Sequence, residues 1–226
     1  MSRREKAEMF GKKPLPAEQR VILPDVSWNQ FHQLLQELGP KRQTRLTYLR
    51  GKLEMMTPVE AHERCSRLID SLILVLVDEM SIPLTSLMPV LLKQTDLGCA
   101  TEPDACYYLE DCPRQTELDL SHQLPPDLLV EVALSKSQID KLPIYAMLGI
   151  PEVWRYITTA GDEMLKGNLS IYELQGDTYS ERRQSTAFPF LSASRVLEFM
   201  EQSDSLSLAT ALRLLRAWVQ EQLRQS

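Results

Sequence analysis

The run Asp127-Leu-Leu-Val-Glu-Val-Ala133 limits what this chain can fold into more than any other stretch. Its odd and even positions are both apolar, as suits a central β-strand covered on both faces. Such a strand needs packed layers on either side, so an α/β protein with helices flanking a sheet is expected. Glu131 interrupts the pattern. A carboxylate inside a buried run is costly unless it is paired or bound to a metal ion.

The neighbouring segments can supply those layers. Ser27 is placed to N-cap a helix carrying Trp28, Phe31, Leu34, Leu35 and Leu38, stopped at Gly39-Pro40. Arg45 to Leu49 and Lys52 to Met56 flank Arg50-Gly51 and read as a β-hairpin. A long helix follows Thr57-Pro58 and reaches about Met80; Leu68, Ile69, Leu72, Ile73 and Leu76 give it a wide apolar stripe, suited to packing on a sheet. Strands are expected over Leu84 to Leu92 and Asp104 to Leu109, then an acidic, proline-bearing loop before the Asp127 run. Pro143 is tolerated only near a helix start, so a helix from Asp140, as N-cap, to Leu148 is expected, stopped by Gly149. Further strands fall at Glu152 to Ile157, Asn168 to Leu174 and Thr178 to Arg183. From Ser203 on, Leu208, Leu212, Leu215, Val219 and Leu223 form one amphipathic helix, packed on the domain or on a second subunit.

At 226 residues, 43% hydrophobic and 25% charged, the chain can build a core without staples. The parts expected are a loosely ordered N-terminal arm (1–20), a main domain (21–200) and the C-terminal helix (201–226). There is no secretory signal, and the most apolar run, Leu68 to Val77, is too short to span a bilayer, so a cytoplasmic protein without a membrane partner is expected. Four cysteines without CxxC spacing read as reduced thiols; a zinc site from Cys99, Cys106, Cys112 and His122 lacks the closely spaced ligand pairs usual for zinc. The net charge of -6 and pI near 5.2 argue against non-specific wrapping of nucleic acid, while leaving room for contact with a few phosphates.

Chemistry gathers around Glu131. Asp104 opens one strand and Glu131 lies inside the next strong one; two carboxylates on neighbouring strands can converge on one divalent cation. A structural ion pair of Glu131 with a Lys or Arg is the plain alternative. Lys141 lies at the start of the helix that leaves the Glu131 strand. Helical side chains lean toward the N-terminus, so its ammonium can point back at that carboxylate; alternatively it is a solvated lysine. Lys136 is nearer in sequence but falls on the connecting loop. Ser135 and Ser137 have no paired histidine nearby, and Trp154 and Tyr156 alternate as core residues do.

The strings RLTYLRGKLEMMTPVEAHE, TEPDACYYL, LPPDLLVEVALSKSQIDKLPIYAMLGIPEVWRY and LSIYELQGDTYSE, in this order, resemble the restriction-endonuclease-like family of the PD-(D/E)XK nuclease superfamily, over about residues 21–199. The resemblance implies a mixed central sheet flanked by helices, Mg²⁺ or Mn²⁺ as cofactor, and hydrolysis of DNA phosphodiester bonds. Asp104 matches the aspartate of the PD motif and Glu131 the second acid, with the Val132 main-chain carbonyl as a further metal ligand. The lysine usual two residues after that acid is replaced by Ala133; similar family members supply it from the following helix, here Lys141. His62 matches a histidine typical of the family, and Glu54 an acidic position that could be a metal ligand or support one. An exposed helix-start histidine and a solvent-facing strand residue are the respective alternatives.

Two functional readings follow: a divalent-metal-dependent DNA endonuclease, or a catalytically silent member of the same fold serving as a binding or assembly module. A third, an unrelated α/β protein with a structural Glu131 ion pair, requires the ordered strings to be coincidence. A homodimer is expected from the C-terminal apolar stripe and from dimerism among similar folds.

Overall fold

A computed structural model describes residues 18–158 and 166–225. The elements in chain order are β1 (Gln19–Leu23), α1 (Trp28–Leu38), β2 (Arg45–Leu49), β3 (Lys52–Thr57), α2 (Glu60–Met80), β4 (Thr85–Leu87), β5 (Leu91–Gln94), β6 (Cys99–Thr101), β7 (Ala105–Tyr108), β8 (Glu117–Asp119), β9 (Leu128–Ala133), α3 (Leu142–Met147), β10 (Glu152–Ile157), β11 (Asn168–Gln175), β12 (Thr178–Arg182), α4 (Ala193–Ser205) and α5 (Leu208–Gln225).

The class is mixed α/β, as expected, but the strands form two six-stranded sheets in place of one central sheet. One runs β1-β3-β2-β6-β5-β8, the other β12-β11-β10-β9-β7-β4. β9 lies inside the second sheet, parallel to β10 and antiparallel to β7, and all six of its residues are buried. Its even-numbered residues Leu128, Val130 and Val132 join the core beneath α2, α4 and α5. Leu129, on the opposite face, packs with Ile144, Tyr145 and Leu148 of the α3 region and with Leu92, Cys99 and Leu118 of the first sheet. α1 covers the outer face of the first sheet through Phe31, against Leu46, Tyr48 and Leu53. Each fully buried side chain of this kind contributes about 1.5–3 kcal/mol.

Local signals account for most elements. Ser27 caps α1 as expected, in a capping box with Gln30. The Arg50-Gly51 hairpin forms with β2 and β3 in register, its turn carried by positive φ at both residues. α2 ends at Ser81 in the left-handed region.

Several expectations need correction. The segment read as one strand from Leu84 to Leu92 is two short strands in different sheets, β4 and β5, on either side of a cis Met88-Pro89 bond. Within the region read as an acidic loop, Glu117–Asp119 forms β8, parallel to β5. Helix α3 begins at Leu142 with Lys141 in the cap position; Asp140 lies one residue earlier and accepts from the Leu142 N–H at 3.3 Å. The C-terminal region holds two helices, and residues 201–205 belong to the first of them. Residues 1–17 of the presumed arm lie outside the described residues, but Glu18 is buried and Gln19 and Arg20 belong to β1, which pairs with β3. Its ladder partner, not its composition, makes it a strand. Among the described residues, no helix is long and apolar enough to cross a membrane.

Candidate active site

The segment Glu102-Pro103-Asp104 carries the chain from β6 in the first sheet to β7 in the second. Asp104 therefore stands where the two sheets meet. Its own N–H donates to the Val130 carbonyl at 3.2 Å, and its Oδ2 accepts from the Val132 N–H at 2.7 Å. Glu102, two residues earlier, is anchored by Arg42 and by the Leu46 N–H at 2.7 Å. The crossover is thereby fixed at both ends.

Glu131 sits one strand over, on the face of β9 covered by α3. Lys141 Nζ donates to its Oε1 at 2.5 Å and Tyr145 Oη to its Oε2 at 2.6 Å. Lys141 and Tyr145 are one helical turn apart, so both reach the same carboxylate. The ion pair weighed as the plain alternative is thus present, and its cation is Lys141. Lys136 is exposed on the loop.

His62 is fully buried in the first turn of α2. Its Nε2–H donates to Asp104 Oδ1 at 2.6 Å and its Nδ1–H to Glu18 Oε1 at 2.5 Å. Burial alone would push the imidazolium pKa down; Asp104 and Glu18, on opposite ring nitrogens, outweigh burial and raise it to about 10. Burial also favours neutral Asp104, yet His62, Arg45 and Lys141 hold its carboxyl below the ordinary range. Glu18 follows the same logic: burial opposes its charge, but bonds from His62 and Ser135 and the Arg20 charge bring it down to about 2. Of the two readings of His62, the exposed helix start does not hold: the residue is buried between Asp104 and Glu18. The start of α2 faces two carboxylates.

Glu54 is buried on β3 and faces inward. It accepts from Arg20 Nη1 at 2.7 Å, from Ser137 Oγ at 2.8 Å and from the Gln138 N–H at 3.0 Å. It therefore ties the hairpin to the loop between β9 and Lys141. Ser135 donates to Glu18 at 2.6 Å, so both serines serve as hydrogen-bonding partners of buried acids.

Glu18, Arg20, Arg45 and Tyr145 were not singled out from the sequence. Tyr145 had a readable signal, its i+4 spacing from Lys141; Arg45 approaches Asp104 Oδ1 at 3.6 Å. Four buried carboxylates (Glu18, Glu54, Asp104, Glu131) thus meet Arg20, Arg45, His62 and Lys141, and Arg45 also binds Glu63 at 3.2 Å. Burial first, then the charges of Asp104 and Glu131, push the Cys106 thiol pKa well up.

Two openings adjoin the cluster. A groove of about 380 Å³ reaches Arg45 and passes Arg42, Thr57, Pro58 and Glu63. On the other side, a narrow cavity between Arg20, Glu131, Lys141 and Arg155 has about 10 Å³ free, room for one water.

The family profile described as Uma2, putative restriction endonuclease, matches residues 28–222. No curated protein matches the chain. The crystal structure of a protein described as a putative nuclease belonging to DUF820, from Anabaena variabilis ATCC 29413, is similar in fold, with a TM-score of 0.52 and 16% identity over 77% of this chain and 99% of that one.

Proposed function

This chain belongs to the Uma2 family of putative restriction endonucleases, and from that premise we propose that it hydrolyses DNA phosphodiester bonds as a divalent-metal-dependent endonuclease. One observation carries the reading: buried Asp104 is tied to the strand of Glu131 through the Val132 N–H at 2.7 Å, and Lys141 meets Glu131 at 2.5 Å.

Whether these residues suit a metal ion turns on their remaining acceptor capacity. Each carboxylate oxygen offers about two lone-pair sites. Asp104 uses one on Oδ1 for the His62 Nε2–H and one on Oδ2 for the Val132 N–H, and the Glu131 oxygens use one each for Lys141 and Tyr145. Hard oxygen donors with capacity to spare fit Mg²⁺ or Mn²⁺. Asp104, Glu131 and the Val132 main-chain carbonyl, which projects to the same strand edge as its N–H, would hold the ion. When bound, it supplies Lewis-acid polarisation and a more acidic water.

The chain's own residues do the remainder. Lys141 presents its ammonium beside the acids, where it orients a water for in-line attack on phosphorus and offsets charge on the phosphoryl oxygens. Tyr145 fixes the rotation of the Glu131 carboxylate, and His62 with the Val132 N–H fixes that of Asp104. The water-sized cavity beside Lys141 limits competing solvent.

The test is plasmid cleavage in Mg²⁺ by purified wild type, Asp104→Ala and Lys141→Ala, each checked for folding by circular dichroism. Loss of cleavage in both variants is expected. Wild-type rates in either folded variant overturn the assignment.

A second reading, a silent binding or assembly module of the same fold, is favoured by the cations that already engage both acids, His62 on Asp104 and Lys141 on Glu131. Among the described residues, no group of three or more His, Cys, Asp or Glu side chains is arranged to hold a metal ion. Calorimetry with Mn²⁺ separates the two; absence of binding selects the module. For assembly we propose a homodimer. Ala211, Leu215 and Val219 of α5 are buried within the chain's own core, while Leu208, Leu214 and Leu223 remain exposed. Light scattering at micromolar concentration reports the mass.

A further inference from the structure

The residues that match the family begin at Trp28, yet Glu18 and Arg20, which precede them, are built into the site. We infer that Glu18 is a positioning residue: through the imidazole of His62 it sets the orientation in which Asp104 is offered to a metal ion. Arg20 serves as the brace that holds Glu18 in place. The inference extends the metal-dependent reading above, and its second readout stands apart from that reading.

The geometry supports a chain of single contacts. Glu18 Oε1 takes the His62 Nδ1–H at 2.5 Å, and the opposite ring nitrogen donates to Asp104 Oδ1 at 2.6 Å. An imidazole held at both nitrogens by carboxylates cannot rotate without losing both bonds. The first turn of a helix disfavours a cation, so His62 depends on these two partners to stay where it is. Glu18 is itself over-determined, taking the Leu134 N–H at 3.2 Å, Ser135 Oγ at 2.6 Å and Arg20 Nη2 at 2.7 Å. Arg20 spends its other donors on Glu54 at 2.7 Å and Ser135 at 2.9 Å. Leu134 and Ser135 directly follow β9, so Glu18 also clamps the chain leaving Glu131 toward Lys141. This connection spans both halves of the site and comes from Glu18 and the start of the strand it precedes, β1, held in register by β3.

The test compares wild type with Glu18→Gln, which keeps the shape and removes the charge, in the full chain. Outer partners of metal-binding groups typically influence affinity by about 10–100-fold, so Mn²⁺ titration should show at least about tenfold weaker binding. In metal-free protein, ¹⁵N NMR should show the downfield His62 Nδ1–H signal of the wild type lost in the variant. Glu18→Asp retains the charge with a shorter reach and should recover part of both readouts. It also replaces Glu18→Gln if that variant does not fold. Unchanged or tighter Mn²⁺ binding, or an unchanged ring signal, overturns the inference. If the wild type binds no Mn²⁺, the metal-dependent reading fails and the ring signal alone decides the role of Glu18.

Discussion

Asp104 continues the strand ladder with its side chain: its Oδ2 accepts the Val132 N–H at 2.7 Å, one step past the last main-chain bond between the two strands, Asp104 N–H to Val130 O. The carboxylate is thus locked to β9 by the same backbone that carries Glu131. The relative placement of the two acids follows from hydrogen-bond register, which slips only in whole residues.

Asp104→Asn tests that lock. The amide oxygen can still accept from Val132, but its NH₂ then faces the His62 Nε2–H, donor against donor. A loss of about 1–3 kcal/mol in unfolding free energy is expected from the stranded buried donor, read from urea midpoints at constant m-value. A midpoint equal to wild type contradicts the assigned pairing.

The imidazolium between two carboxylates dictates a pH dependence in chelator-treated protein. The His62 pKa is raised to about 10 when folded, against about 6.5 unfolded. Its stabilisation is therefore complete below about pH 6.5 and is lost as pH rises toward 10. The Glu18 pKa is lowered to about 2 from the usual 4.5, so its contribution is present above about pH 4.5 and is lost as pH falls toward 2. Denaturant midpoints should peak near pH 5–6.5, and His62→Gln should flatten the alkaline arm. Rising stability between pH 7 and 9 in the wild type excludes this account.

Tyr145→Phe removes one of the two donors on Glu131 without changing shape. The buried oxygen left without its partner should cost about 1–3 kcal/mol. Thermal unfolding of the variant measures it; a change under about 0.5 kcal/mol places the Glu131 carboxylate elsewhere.

Glu152 provides a control away from the site. It is buried on β10, about 10 Å along the strand from the level of Glu131. There it accepts from Ser185 Oγ at 2.6 Å, the Thr186 N–H at 2.7 Å and the Ala187 N–H at 2.9 Å. Glu152→Ala should destabilise the fold by about 3 kcal/mol or more, since several donors lose their acceptor at once. Mn²⁺ affinity of the folded fraction should stay at the wild-type level; a tenfold drop would show coupling absent from these contacts.

Much of the architecture was readable because it rests on local rules. Ser27 with Gln30, the Arg50-Gly51 turn and the apolar stripe of α2 each act within a few residues, and their elements appear where expected. β10 needed only the apolar residues Val153, Trp154, Tyr156 and Ile157 on either side of Arg155. β1, β6 and β8 are defined by their ladders with β3, with β2 and β5, and with β5 respectively, and by no local pattern of their own. The division into two sheets was equally hidden, since strand pairing depends on distant partners.

By itself the sequence determined that Glu131 is buried and that Lys141, ten residues later, starts the helix returning over it, because burial pattern and helix direction are local properties. Only the tertiary structure decided that His62 turns inward between Glu18 and Asp104, and that Arg20 and Glu54 brace the loop before Lys141. Those contacts join residues 34 to 115 positions apart. No local propensity encodes them, and they exist only because the two sheets meet at Asp104.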